Sequence, residues 1–253
     1  MEDTEYEERM GNVYAILADV HGNAHALEAV LEDIRKRRVD VICHLGDLVG
    51  YGADSDTVVR IAREKDFVCV QGNHDAQLRP PRAEDMRSDA KVALDFALSQ
   101  LDGDAVDWLS ALPSERVVDG RLVLVHGALT GRDDYILTQE ELAQNHELLE
   151  TRDEHICFSG HTHTPLFSGG GRVKIRIPST FSFDILPDER YVVNPGSVGQ
   201  PRDKIPLASY ALYEPAEWRL SIVRVPYDIA GAQKKMAGAC LPERLWKRLT
   251  HGA

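Results

Sequence analysis

Basic residues are scarce in this chain: 29 lysines and arginines stand against 41 aspartates and glutamates, a formal net charge of −12 over 253 residues. That deficit excludes a broad basic face of the kind that coats nucleic acid. A small phosphorylated ligand stays open, because bound divalent cations can concentrate positive charge at one spot. Cysteine is scarce as well. Cys43, Cys69, Cys157 and Cys240 stand far apart with no Cys-x-x-Cys spacing, which argues against a disulfide frame or a thiolate zinc clip and for buried reduced thiols. Long apolar runs are absent, and Met1 to Arg9 is acidic where a secretory signal would be basic and then apolar. The expectation is a cytoplasmic protein with no membrane partner.

With 43% hydrophobic residues the chain can bury one sizeable core. The reading is an acidic tail over 1–12 and a single domain over 13–253 that includes a C-terminal helical tail. Val13–Ala18 and Val39–Leu45 are short apolar runs, and between them Ala26, Leu27, Val30, Leu31 and Ile34 recur at helical spacing. Thr57–Glu64 and Phe67–Val70 repeat that strand–helix alternation, which predicts a largely parallel sheet with ligands at the strand C-termini. Glu84 to Leu112 reads as helical up to Pro113. Beyond it Asp119-Gly120 marks a hairpin, Glu140–Leu149 a helix and Ile156–Ser159 a strand, and short strands continue to Val225. The second half thus reads as a second, more antiparallel sheet, followed by helix from Asp228 to Leu249.

Five short motifs follow apolar runs in order: Asp19-Val20-His21, Gly46-Asp47, Gly72-Asn73-His74-Asp75, His126-Gly127 and Gly160-His161-Thr162-His163. Singly each has a structural reading, since Asp and Asn beside glycine commonly make turns and a histidine can end a core strand. Jointly they offer carboxylate, amide and imidazole ligands for divalent metal. Extended backbone would aim residues i and i+2 to one side, so Asp19 with His21, and His161 with His163, could each reach one ion together. His25 and His44 fit no motif position.

This series resembles the calcineurin-like metallophosphoesterase superfamily, in particular its small bacterial and archaeal phosphodiesterase-like branch. Asp19-Val20-His21-Gly22-Asn23, Gly46-Asp47-Leu48-Val49-Gly50-Tyr51-Gly52 and Asn194-Pro195-Gly196-Ser197-Val198-Gly199 carry the resemblance further. It implies an α/β fold, a four-layer α/β/β/α sandwich of two mixed β-sheets flanked by helices. It also implies two divalent ions per chain, Mn2+ foremost, with Fe, Zn or Ni also able to occupy the sites. Asp19, His21, Asp47 and His163 would hold one ion, and Asp47, Asn73, His126 and His161 the other. Asp47 would bridge, because a carboxylate has two oxygens that can each take an ion. The implied reaction is hydrolysis of a phosphoric ester by a hydroxide between the ions, with His74 as proton donor and Asp75 in support of it.

The protein-phosphatase branch has Gly-Asp-x-x-Asp-Arg-Gly where this chain has Gly50 and Tyr51 at the Asp and Arg positions. An arginine fork suits a dianionic monoester, so its loss leans toward a diester. Arg202, ahead of Arg79, is the expected replacement cation, and Asn23 and Tyr51 join Arg202 as substrate-binding candidates. The rival readings are a phosphomonoesterase or protein phosphatase, a dinucleoside polyphosphate hydrolase, and a noncatalytic scaffold of the same fold. The expected partner is a phosphoester, nucleotides included, and homo-oligomerisation stays open.

Overall fold

The computed structural model describes residues 11–79 and 86–253. The acidic tail expected over 1–12 lies almost wholly outside the described residues, as do Glu84 and Asp85 at the start of the expected helical stretch. Twelve strands among the described residues form two six-stranded mixed sheets. In the first, β3 (Val68–Cys69), β2 (Val41–His44) and β1 (Tyr14–Leu17) run parallel, and β11 (Ala208–Glu214), β12 (Arg219–Val225) and β9 (Phe181–Asp184) continue it antiparallel. In the second, β5 (Leu122–Val125), β6 (Ile156–Phe158) and β10 (Tyr191–Asn194) run parallel. The strands β4 (Glu115–Val118), β7 (Leu166–Gly169) and β8 (Arg172–Ile175) flank them antiparallel, in the order β4-β5-β6-β10-β7-β8.

The inner strands β1, β5, β6 and β10 read as continuous apolar runs because both their faces are covered, whereas β4, β8 and β9 are largely exposed. Tyr14 and Ile16 of β1 point inward with Leu122, Leu124, Ile156, Phe158 and Tyr191 of the opposite sheet. Ala15 and Leu17 point outward onto α1 (Ala24–Lys36) and α2 (Ser55–Glu64), through Leu27, Val30, Val58 and Val59. On the other side, Val123, Val125 and Cys157 meet Leu149 of α6 (Gln139–Glu150). The result is the four-layer α/β/β/α sandwich, with an apolar middle layer between the sheets.

Three expectations change. The second half supplies all six strands of the second sheet, as expected, but not those alone: β9, β11 and β12 return to the first sheet, where β11 pairs antiparallel with β1. The helical stretch before Pro113 is two helices, α4 (Ser88–Gln100) and α5 (Gly103–Ser110), because Leu101 is extended and the Asp102 side chain caps the Ala105 amide. The tail also divides, into α7 (Ile229–Gly238) and α8 (Glu243–Lys247). Its Met236, Leu241, Leu245 and Leu249 pack with Ala53 and Ala93, so the tail lies beside the loop that follows Asp47. The one-turn helix α3 (Asn73–Ala76) follows β3 directly. Cys43, Cys69 and Cys157 are buried free thiols, whereas Cys240 is exposed.

Asn23, a candidate for substrate binding, has a structural task instead. It is buried, its Oδ1 accepts from Ala26 N at 3.1 Å to cap α1, and its Nδ2 donates to Gly199 O at 2.9 Å. Asn23→Ala should therefore lower unfolding free energy by roughly 1–3 kcal/mol, read by urea denaturation. An unchanged midpoint would return Asn23 to the ligand side of the molecule.

Candidate metal centre and active site

Seven candidate ligands gather at the C-terminal ends of strands from both sheets. Asp19 and His21 follow β1, Asp47 follows β2, Asn73 opens α3, His126 follows β5, and His161 and His163 follow β6. The extended i, i+2 geometry expected for the paired ligands does not occur. Asp19 (φ 54°), His21 (φ 49°), Asp47 (φ 60°), His161 (φ 65°) and His163 (φ 57°) are all left-handed. Such backbone costs about 1–2 kcal/mol per non-glycine residue and persists only where its surroundings fix it. Here the loops hold one another: Asp19 N donates to Gly46 O at 3.1 Å, His21 N to Asp47 O at 2.9 Å and Gly160 N to His126 O at 2.7 Å. Because of the turns, His161 and His163 serve different groups.

One group joins Asp19, His21 and His163, and another Asp47, His126 and His161; a third, His21, Asp47 and His74, overlaps both and sets His74 within reach of the same centre. His163 Nε2 lies 3.3 Å from Asp19 Oδ1 and 3.1 Å from His21 Nε2. His126 Nε2 lies 3.0 Å from His161 Nδ1 and 2.9 Å from Asn73 Oδ1. Between the groups, Asp47 Oδ2 is 3.5 Å from His21 Nε2 and 3.6 Å from His126 Nε2. Two separate carboxylate oxygens were expected to serve two ions. Instead Oδ1 accepts the His74 amide at 2.8 Å, and Oδ2 alone faces both groups.

The protonation pattern tests whether cations fit. His21 Nδ1 meets Val49 O at 3.0 Å, His126 Nδ1 meets Leu45 O at 2.8 Å, and His163 Nδ1 meets Gln200 O at 2.6 Å. A carbonyl only accepts, so each Nδ1 carries the proton and each Nε2 turns a lone pair toward the centre. Lone pairs of His21 and His163 then face each other at 3.1 Å, beside an Asp19 Oδ1 that is buried without a hydrogen-bond partner. Acceptors facing acceptors in a buried site suit divalent metal.

The buried carboxylates and imidazoles also shift one another, and not all in the same direction. Burial, with the Asp75 and Asp19 carboxylates, pushes Asp47 up to about 8 against the pull of His126. Burial works against a charged His126, yet Asp47 and Asp19 outweigh it and raise that imidazole. Burial followed by His126 pushes His161 down to about 3. For His74, burial and then the Arg202 charge push the imidazole well below its usual value, so it is neutral at pH 7 without substrate.

The remaining candidates divide. His74 is buried, with its ring 4.8 Å from that of His21, and Tyr51 sits 4.5 Å from both rings. Gly50 is a requirement of this packing: at φ 88° its missing Cβ would stand 2.4 Å from His74 Nδ1. Arg202 reaches the site, its guanidinium 5.8 Å from the Tyr51 ring and its backbone N donating to His163 O at 3.2 Å. Arg79 does not, being exposed and paired with Asp107. Tyr135, for which no motif gave a signal, stacks on His161 at 3.9 Å. His25 approaches Asp228 at 3.8 Å, and buried His44 accepts from Gly46 N; neither is a member of a ligand group.

Asp75 is the main correction. Its carboxylate does not turn to His74. It accepts backbone N–H groups from Asp47 (2.8 Å), Leu48 (3.0 Å), Val49 (3.3 Å) and Gly72 (3.0 Å), which makes it a clamp between two ligand-bearing loops. Asp75→Asn keeps the shape but sets an NH2 group against amide donors. Unfolding free energy should drop by about 2–4 kcal/mol, and bound metal measured by elemental analysis should fall with it. A variant with normal stability and metal content would remove the clamp argument.

Known proteins agree with this architecture. The profile of the calcineurin-like phosphoesterase superfamily domain matches residues 13–217. An uncharacterized protein of Methanocaldococcus jannaschii is 32% identical over 247 residues, covering 95% of this chain and 98% of that one. The crystal structure of a metallophosphoesterase from Sphaerobacter thermophilus superposes with a TM-score of 0.83 at 37% identity, covering 96% of this chain and 99% of the other. A hypothetical protein from Pyrococcus horikoshii shares the fold at 20% identity, with a TM-score of 0.77 and coverage of 95% and 98%. The chain belongs to the calcineurin-like phosphoesterase superfamily of metal-dependent phosphoric ester hydrolases.

Proposed function

We propose that the chain is a phosphodiesterase that works with two divalent ions, Mn2+ being the first choice for activation. The observation that carries this reading is Asp47 Oδ2, which lies 3.5 and 3.6 Å from imidazole nitrogens of the two groups and is the atom suited to join them. Asp19, His21 and His163 would hold one ion with it, and Asn73, His126 and His161 the other. A bound pair of divalent ions lowers the pKa of a water between them toward about 7 and neutralises phosphoryl oxygens. Oxygen, nitrogen and imidazole donors without thiolate discriminate weakly among Mn, Fe, Zn and Ni.

Arg202 supplies a guanidinium for a phosphoryl oxygen beside His163 and Tyr51. Tyr51 against His21, and Tyr135 on His161, give an aromatic wall beside each ligand group, which suits a phosphorus bearing two substituents. His74 gives its proton to the departing oxygen as the P–O bond breaks. Since its imidazole is neutral without substrate, the proton must be taken up as the anionic ester binds.

The kcat/KM of Mn2+-loaded protein for bis(4-nitrophenyl) phosphate should exceed that for 4-nitrophenyl phosphate. A monoester preference would return the reading to a phosphatase. In a second test, His74→Ala should slow hydrolysis of an alkyl diester by about 10²–10⁴-fold and an aryl diester far less, because an aryl oxide leaves without a proton. Equal losses with full metal content would make His74 a phosphate-binding group rather than an acid.

A further inference from the structure

Beside the metal centre two guanidinium groups converge on one neutral oxygen. Gln200 Oε1 accepts from Arg202 Nη2 at 3.1 Å and from Arg248 Nη1 at 3.2 Å. The amide cannot be reversed, since its NH2 would then confront two donors. Gln200 is almost wholly buried, and its Nε2 has no hydrogen-bond partner; neither does the buried Nε of Arg202. Both orphaned atoms are donors, so what would satisfy them is an acceptor.

The charges lead to the same ligand. Among the described residues no carboxylate side chain forms an ion pair with Arg202 or Arg248, in a protein that carries twelve more negative than positive charges. The neighbouring acids are engaged elsewhere: Asp203 with Arg224, Asp89 with Arg87 and Asp54 with Lys235. Arg248 Nε donates to the Ala253 backbone oxygen, which fixes the side chain and leaves its Nη atoms toward Gln200. Burial and then the Arg202 charge push Arg248 down to about 10, and Arg244 and Arg87 add further positive charge nearby. An anion would relieve this repulsion.

The pair is attached to the candidate ligands themselves. Gln200 O accepts His163 Nδ1 at 2.6 Å, and Arg202 N donates to His163 O at 3.2 Å. Arg202 faces His163 and Tyr51, and Arg248 reaches the same Gln200 oxygen from the C-terminal tail, where its charge is also felt by Tyr51.

We propose that Gln200, Arg202 and Arg248 form a second anion subsite, and that the substrate carries a second phosphate joined to the one attacked, as in a phosphoric anhydride. This deepens the phosphodiesterase reading and rests on it: the second substituent on phosphorus is itself a phosphoryl group.

Calorimetry on Mn2+-loaded protein tests the subsite with two probes that differ by one phosphate, adenosine monophosphate and the non-hydrolysable α,β-methylene adenosine diphosphate. Wild-type protein should bind the diphosphate analogue about tenfold more tightly. Arg248→Gln should bring the two affinities within about twofold of each other, and Arg248→Lys, which keeps the charge, should restore most of the difference. Equal affinities in the wild type, a difference that survives in Arg248→Gln, or parallel losses for both probes would each overturn the proposal. So would a tightening of adenosine monophosphate by added orthophosphate, which would mean an independent anion rather than a joined one. Turnover of bis(4-nitrophenyl) phosphate, which has a single phosphate, fails only if the phosphodiesterase reading fails.

Discussion

The centre depends on a buried carboxylate that touches neither candidate ligand side chains nor solvent. Asp75 gathers the amides of Asp47, Leu48, Val49 and Gly72, and so fixes the turn after β2 against the turn after β3. Those turns carry Asp47, Asn73 and His74. Once they are locked, Asp47 Oδ1 can accept the His74 amide, and Oδ2 is left in the position between the two imidazole groups. Four short backbone contacts therefore determine where the central oxygen stands. A charge buried this deeply is tolerable because its acceptor sites are filled by N–H groups.

A second buttress comes from far along the chain. Ser197 Oγ donates to Asp19 O, Val198 N to Ala18 O, and Asn194 Nδ2 to Gly160 O. The segment from Asn194 to Gln200 thus ties the loop after β1 to the loop after β6, one from each sheet. The return of β11 to pair with β1 brings the end of the chain alongside this seam. Left-handed conformations at five candidate ligands are sustained by this framework rather than by local preference.

Much of this was legible in the sequence, unevenly. The layers followed from apolar periodicity, and Asp19, Asp47, Asn73 and the histidines stood out because each sits beside glycine or another polar ligand after an apolar run. Sheet membership did not follow. The alternation in β11 and β12 marks strands, but nothing local tells that they pair with β1 rather than with β10. The direction of side chains after the strands was also hidden, since a left-handed turn leaves no mark on Asp19 or His163, and it was the family resemblance, not the i, i+2 spacing, that assigned His161 and His163 to different ions. Asp75 looked like a partner of His74 by adjacency alone, when its partners are amides up to 28 positions away.

Gln200, Tyr135 and Arg248 belong to the class that sequence reading passes over. Each is an ordinary residue in an unremarkable stretch, and each gains meaning only from what the fold sets beside it. Gln200 also shows how one residue can serve two functions through separate atoms. Its backbone oxygen fixes the tautomer of His163, and its side-chain oxygen holds two guanidinium groups that would otherwise repel each other freely. Moving that backbone would disturb an imidazole lone pair and the cationic wall together. The charge arrangement next to the centre is therefore not independent of the centre's geometry, and the C-terminal tail, remote in sequence from every ligand motif, becomes part of the same electrostatic unit.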